Sequence, residues 1–181
     1  LVYEAQLRLQ ARVNATWLIG QADQLNRAPL SVFTYFLYPY FGQQREQDSA
    51  ANQAAFEQVF ADLVAADETH RADLQAFHSY LAGLLGFVIP GSPYDNADEK
   101  VRTDNGIAAI KTWARAASRR QPLVIQLEDA QWLDASSVRA VQQLTYNMSD
   151  VPLALILTSR YKDDGSPLVI PNIFSLPVNN F

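Results

Sequence analysis

Two short apolar runs, separated by one helix-length segment, constrain the fold of this chain more than any other feature. The runs cover residues 123–127 and 153–157, and they lack the polar alternation of a strand with one exposed face. Residues 135–147 between them repeat apolar side chains at helical spacing. Because a strand, a helix and a second strand form a right-handed crossover, the runs predict neighbouring parallel strands.

The remaining segments extend this alternation of helices and strands. The other predicted elements are a helix over residues 1–13, a strand over 15–20, a helical insertion over about 43–106, a helix from Ile107 and a last strand over 173–178. The insertion carries two amphipathic stripes and ends in a long loop over residues 86–106. We therefore expect one α/β domain over residues 1–181, in which a parallel sheet and flanking helices form three layers.

Composition excludes several classes of function. The 181 residues carry a net charge of −5 and no cysteine, and 49% of them are hydrophobic. The acidic balance argues against a basic surface for nucleic acid or anionic lipid, and the lack of cysteine excludes disulfides and thiolate metal sites. No apolar stretch approaches the roughly 20 residues that cross a bilayer, and the first residues lack the features of a signal peptide. We expect a cytoplasmic domain that binds neither nucleic acid nor membrane.

Five side chains suited to phosphate chemistry stand at the carboxyl ends of the two predicted strands. Glu128 and Asp129 follow the first run, and Thr158, Ser159 and Arg160 follow the second. Ligands of an open parallel sheet bind at this edge, so the two groups should lie close together. Phosphoryl transfer needs carboxylates that hold Mg²⁺ and orient water, and a cation that neutralises the transferred phosphate. The pattern predicts such a site. The alternative is structural, in which one acid lies on the surface, the other caps a loop and the arginine is an exposed cation at a strand end.

Three further groups admit a structural and a functional interpretation. Trp132 and Asp134 favour architecture, as a packing anchor and a helix N-cap. The aromatic residues between positions 33 and 41 favour core packing over a base- or partner-binding surface. Within residues 67–73, two aspartates and His70 would share one face if they lay on one helix, but a solvated turn between helices is favoured over a ligand set.

The two strands and the residues that follow them resemble those of a known family. Residues 123–134, Leu-Val-Ile-Gln-Leu-Glu-Asp-Ala-Gln-Trp-Leu-Asp, resemble the Walker B region of the STAND-type AAA ATPases, which show an apolar strand, two acids and then a Gln- or His-Trp-x-Asp. Residues 153–160 resemble the sensor-1 strand of that family, which ends in Thr-x-Arg. The family occurs in LuxR-type activators related to MalT and in proteins with nucleotide cyclase domains. The resemblance implies the three-layer parallel sheet of P-loop NTPases.

The resemblance also implies roles for single residues. Glu128 would take the Mg²⁺ position, Asp129 the water-activating position and Arg160 the position that senses the γ-phosphate of ATP. Asp129 and Arg160 would then be catalytic, and Thr158 would belong to the same nucleotide site. The glutamate at the Mg²⁺ position departs from the commoner aspartate, and its longer side chain shifts where the metal would lie.

A second departure concerns the phosphate-binding loop. No Gly-x-x-x-x-Gly-Lys-Ser/Thr occurs in the 181 residues, and the resemblance places that loop just before Leu1 and a helical lid after the core. We therefore expect a partial ATPase core, inactive alone, cut from a larger cytoplasmic signalling or transcription-regulating ATPase. Its expected partners are ATP or ADP, Mg²⁺ and other domains of the same polypeptide, with self-association through exposed sheet edges. The alternatives are a degenerate ATPase fold that acts as an interaction module, and a metal-dependent hydrolase without nucleotide.

Overall fold

The computed structural model describes residues 2–25, 28–161, 165–171 and 173–174. Helices separate the three strands along these residues, with four of them between the first strand and the second. The elements are α1 (Val2–Gln10), β1 (Thr16–Gln21), α2 (Ser31–Tyr40), α3 (Ser49–Ala66), α4 (Arg71–Leu84), α5 (Glu99–Arg120), β2 (Leu123–Glu128), α6 (Ala135–Thr145) and β3 (Leu153–Leu157). Within this part of the chain, no helix has the length and apolar character needed to pass through a bilayer. The strand predicted over residues 173–178 lies largely outside the described residues.

β2 is the central strand of a three-stranded parallel sheet, with β1 on one side and β3 on the other. β1 pairs with β2 along its whole length, so that Thr16 lies opposite Leu123 and Gln21 opposite Glu128. Residues 123–127 are buried at every position, which explains why this strand is apolar on both faces. The predicted pair of neighbouring parallel strands is confirmed. The predicted α/β class is confirmed with it, as a parallel sheet flanked by helices that is consistent with the P-loop NTPase fold.

The main core lies between the sheet and three helices. α2 packs on β1, α5 packs on β2 and β3, and α6 packs on α5. The approach of α2 to β1 is close, because a Cβ placed on Gly20 would lie 2.5 Å from the carbonyl oxygen of Val32. Glycine at this position therefore lets α2 settle directly onto the strand that precedes it.

The aromatic segment of α2 belongs to this core. Phe33, Phe36 and Phe41 are at most 2% exposed, and the ring centroids of Phe36 and Trp113 of α5 lie 6.0 Å apart. Tyr35 is the exception, since it is 57% exposed. The core-packing interpretation is confirmed, and the alternative of an aromatic binding surface is wrong for these buried rings.

α5 begins at Glu99, so the predicted loop over residues 86–106 is wrong in its last part. Asp98 is the N-cap of the helix, and its carboxylate accepts a hydrogen bond from the backbone N–H of Val101 at 2.8 Å. The first two turns carry mostly polar side chains at or near the surface, so they show no apolar stripe. An N-cap residue does not predict the start of a helix from sequence when no apolar side chains at helical spacing follow it.

α3 and α4 are joined by a short turn that contains Asp67 and His70. Asp67 is 8% exposed and accepts a hydrogen bond from the backbone N–H of His70 at 3.2 Å, while Nη1 of Arg119 lies 3.9 Å from its carboxylate. Burial raises the pKa of Asp67, but the His70 hydrogen bonds and the charges of His70 and Arg119 outweigh burial and hold the pKa below its ordinary value. The predicted turn is confirmed, but it is not solvated at Asp67 and His70, whose side chains are 8% and 19% exposed. The shared helical ligand face is wrong, because α3 ends before Asp67.

Candidate functional site

β2 delivers Glu128 and Asp129 to the carboxyl edge of the sheet. Glu128 is the last residue of the strand, and Asp129 follows it with φ 54° and ψ 42°, in the left-handed region. Aspartate enters this region at lower cost than most residues, because its short side chain forms local hydrogen bonds. The chain thus turns out of the strand directly after Glu128. Both acids stand at the tip of the central strand.

The end of β3 is joined to this tip by backbone hydrogen bonds. The N–H of Thr158 donates to the carbonyl oxygen of Leu127 at 2.9 Å, and the N–H of Ala130 donates to the carbonyl oxygen of Thr158 at 2.8 Å. Pairing between the strands therefore continues past β3 itself. Thr158 lies beside the two acids, at the strand end where the sequence predicted it.

Arg160 reaches the same edge from β3. Its Nη2 lies 3.9 Å from Oδ1 of Asp129, and the two side chains are 78% and 36% exposed. An ion pair this exposed contributes about 0–1 kcal/mol to stability, so the guanidinium gains little by staying on Asp129. It remains available for an anion that binds beside the two strands. The hydroxyl of Ser159 donates to the backbone carbonyl of Arg160 at 2.8 Å.

Two glutamine side chains hold the two acids, and the sequence had not assigned a role to either. Nε2 of Gln126 donates to Oε1 of Glu128 at 2.8 Å, and Nε2 of Gln131 donates to Oδ1 of Asp129 at 3.0 Å. Gln126 is itself fixed by Nε1 of Trp17 in β1, which donates to its Oε1 at 2.9 Å. The sequence does contain a signal for Gln126, which is the single polar residue in an otherwise apolar run. A buried amide needs hydrogen-bond partners, so this residue indicates a polar contact inside the sheet.

Each carboxylate keeps one oxygen without a partner in the part of the chain that the structure describes. Among the described residues, no hydrogen bond or ion pair involves Oε2 of Glu128 or Oδ2 of Asp129. A carboxylate oxygen has a strong requirement for a donor or a cation when it is only partly exposed to water. The tip of β2 therefore presents two anchored carboxylates to a cation or to water, each with one oxygen to which no described residue bonds.

Asp134 and Trp132 have the architectural roles that the sequence favoured. Asp134 is the N-cap of α6, and its Oδ1 accepts the backbone N–H groups of Ser136 at 2.8 Å and Ser137 at 3.0 Å. Trp132 is half-buried and packs against the core. The Gln-Trp-x-Asp segment thus contributes one residue that touches the site, one packing anchor and one helix cap.

A comparison of the sequence with models of known protein families identifies the family of the chain. Residues 1–156 match the model of the AAA ATPase domain. The chain belongs to the AAA ATPase domain family. The matched part of this AAA ATPase domain includes Glu128, Asp129 and both glutamines. It ends before Thr158 and Arg160, so the positions of those two residues rest on the geometry described above.

Two other comparisons add nothing to this assignment. No curated protein and no solved structure matches the chain. The family indicates an ATPase-type module that uses a nucleotide, usually with Mg²⁺.

Proposed function

We propose that this AAA ATPase domain binds and hydrolyses Mg-ATP, and that the reaction switches the conformation of a larger cytoplasmic signalling or transcription-regulating protein. The observation that carries the proposal is the pair of carboxylates at the tip of β2, each with one oxygen held by a glutamine and the other unused among the described residues. Arg160 reaches the same tip from β3. Two acids and a cation at one strand edge are the groups that phosphoryl transfer requires.

The donor set at this tip suits Mg²⁺. Nucleotide sites hold Mg²⁺ through one or two carboxylates and the phosphate oxygens, and the ion keeps several of its waters. Oε2 of Glu128 is a carboxylate oxygen of this kind, on a side chain that Gln126 already orients. We assign Glu128 to the metal, directly or through a water. When bound, Mg²⁺ would neutralise negative charge on the β- and γ-phosphates.

The other three residues have separate tasks in this proposal. Asp129 orients the attacking water and accepts its proton at Oδ2. Arg160 leaves its weak contact with Asp129 and turns its planar guanidinium to the γ-phosphate oxygens. The Thr158 hydroxyl, at the end of the neighbouring strand, donates to a phosphate oxygen. Together these groups hold the reacting phosphate over the carboxyl edge of the sheet.

We assign the domain to the STAND-type AAA ATPases. The two acids followed by Gln-Trp-x-Asp support this subtype. The 181 residues hold no Gly-x-x-x-x-Gly-Lys-Ser/Thr, so hydrolysis requires a phosphate-binding loop that we place before Leu1 in the full-length protein. Within the described residues, β3 has a strand on one side only, which leaves its other edge for the strand that leads into that loop. We therefore expect no hydrolysis from residues 1–181 alone.

The test is a single substitution in the full-length protein. Asp129→Asn keeps the side-chain volume and tolerates the left-handed backbone, but it removes the proton acceptor. We expect kcat for ATP hydrolysis to fall by about 100-fold or more, while the Kd for Mg-ATP changes by less than about threefold. Asp62→Asn, on the exposed surface of α3, is the matched control and should leave both values unchanged. Wild-type turnover in Asp129→Asn would refute the role of Asp129.

The second candidate function is a degenerate ATPase fold that serves as an interaction module. The absence of a phosphate-binding motif from the 181 residues favours it. The aromatic surface that would also have favoured it is mostly buried in the core. If the full-length protein fails to bind Mg-ATP in titration calorimetry, this function replaces the first one.

A metal-dependent hydrolase without nucleotide has less support. In the part of the chain that the structure describes, no three His, Asp or Glu side chains gather into a metal site. Metal sites that act without a bound phosphate need about three protein ligands. Titration of residues 1–181 with Mn²⁺ alone should therefore show no binding in the micromolar range.

A further inference from the structure

Gln131 links the acid at the tip of β2 to the end of β3. Its Nε2 donates to Oδ1 of Asp129 at 3.0 Å, and its Oε1 accepts the backbone N–H of Arg160 at 3.1 Å. Both polar ends of one amide are therefore used, and they join groups that belong to two different strands. The backbone bond from Ala130 to Thr158 lies in the same place and holds the two segments at a fixed separation.

Asp129 needs such a partner if its carboxylate is to keep one orientation. The residue lies in a turn after the strand, and its side chain is 36% exposed. An exposed side chain of this kind samples several rotamers, and a reacting group must be held in one of them. The bond from Gln131 occupies Oδ1 and leaves Oδ2 without a hydrogen bond among the described residues. A neutral amide does this without cancelling the negative charge of the acid.

We propose that Gln131 is a positioning residue, which holds Asp129 for water activation and ties its orientation to that of Arg160. This inference rests on the proposed function. A shift of the β3 end, such as the movement of Arg160 toward a phosphate, pulls on the Arg160 N–H and reaches Asp129 through the Gln131 amide. The orientation of the acid is therefore coupled to the position of the β3 end through this one amide.

Gln126 provides an internal comparison, because it is the same kind of side chain on the other acid. It bonds Glu128 at 2.8 Å and is held by Trp17 at 2.9 Å, and it is 5% exposed. It has no link to the end of β3 among the described residues. Loss of the Gln126 amide should therefore change the dependence of activity on Mg²⁺, whereas loss of the Gln131 amide should change turnover.

The experiment measures steady-state ATP hydrolysis by the full-length protein. Gln131→Met keeps the length of the side chain and removes both hydrogen bonds. We expect kcat to fall by about 10- to 100-fold, with KM for ATP and the half-saturating Mg²⁺ concentration changed by less than about twofold. Gln126→Met should show the opposite split, with a raised half-saturating Mg²⁺ concentration. Gln143→Met, on the exposed face of α6, is the control and should match the wild type.

A conservative variant separates positioning from a merely structural role. Gln131→His keeps one N–H donor and one acceptor nitrogen, so it should recover at least about a third of the kcat that Gln131→Met loses. Unchanged kcat in Gln131→Met, or a joint loss of kcat, KM and thermal stability that histidine does not recover, would overturn the inference. If the wild-type protein hydrolyses no ATP, the proposed function fails and this inference fails with it. If Asp129→Asn is slow but Gln131→Met is not, the inference alone is wrong.

Discussion

Substitution of Asp134 by alanine should destabilise the protein more than removal of an ordinary helix cap. Oδ1 of Asp134 accepts two backbone N–H groups of α6, at 2.8 and 3.0 Å. Its Oδ2 accepts the hydroxyl of Ser137, which is 0% exposed. The loss of the cap costs about 1 kcal/mol, and a buried hydroxyl without a partner costs about 1–3 kcal/mol. The two terms together predict that Asp134→Ala lowers the free energy of unfolding by roughly 2–4 kcal/mol.

Asp98→Ala is the matched control for this prediction. Asp98 caps α5 with a hydrogen bond from the N–H of Val101 at 2.8 Å, and no buried hydroxyl among the described residues bonds to it. Its loss should cost about 1 kcal/mol. The double variant Asp134→Ala/Ser137→Ala removes both members of the buried pair, so it should be more stable than Asp134→Ala by about 1–2 kcal/mol.

The assay is urea unfolding, followed by far-ultraviolet circular dichroism, with the free energy taken from linear extrapolation. The expected order of stability is wild type, Asp98→Ala, the double variant and then Asp134→Ala. If Asp134→Ala and Asp98→Ala lose the same free energy, Asp134 acts only as a cap and the Ser137 pair contributes nothing. If the double variant is no more stable than Asp134→Ala, the orphaned hydroxyl is not the cause of the extra loss.

Three further predictions concern the fold. Gly20→Ala should lower the free energy of unfolding by about 1–3 kcal/mol in urea, because the new Cβ meets the Val32 carbonyl at 2.5 Å. Gly106→Ala meets only the side chains of Leu30, at 3.3 Å, and Leu84, at 3.5 Å, and should be nearly neutral because alanine also favours the helix. Asp129→Ala should unfold about 1–2 kcal/mol more easily than Asp129→Asn, because alanine is strained at φ 54°; equal stabilities would contradict this. The pKa of Asp67 is lowered in the folded state, so its contribution is complete above the ordinary value of about 4 and is lost as the pH falls through the lowered pKa. Asp67→Asn should therefore flatten the decline of unfolding free energy below about pH 4, and an unchanged decline would refute the role given to this carboxylate.

The parallel pair in the sheet was predictable because the central strand β2 and its neighbour β3 are almost wholly apolar, although only β2 is buried at nearly every position. A strand buried on both faces requires such a run, and the helix-length segment between the runs fixes a parallel crossover. The position of Glu128 and Asp129 followed from the same reasoning, since polar residues directly after a buried strand must lie at its carboxyl end. The fold class and the position of the candidate site could therefore be predicted from the sequence alone.

The contacts that hold the two acids could not be predicted from the sequence, because they depend on the pairing register between segments that are far apart along the chain. Trp17 and Gln126 are 109 residues apart, and they meet only because β1 and β2 pair with Ile19 opposite Gln126. The link from Gln131 to Arg160 depends in the same way on how β3 ends beside β2. The prediction of where α5 begins was wrong for a different reason. The first turns of α5 are polar and lack the apolar period that indicates a helix.

The central claim is that the acidic tip of β2 faces the metal and the phosphates of a bound nucleotide. The most direct measurement is the anomalous scattering of Mn²⁺ in crystals of the full-length protein grown with a non-hydrolysable ATP analogue. The account predicts a Mn²⁺ peak on the carboxylate of Glu128, directly or through one water, with the γ-phosphate facing Asp129 and Arg160. A Mn²⁺ ion and a γ-phosphate held by other residues, with this strand tip facing solvent, would contradict it.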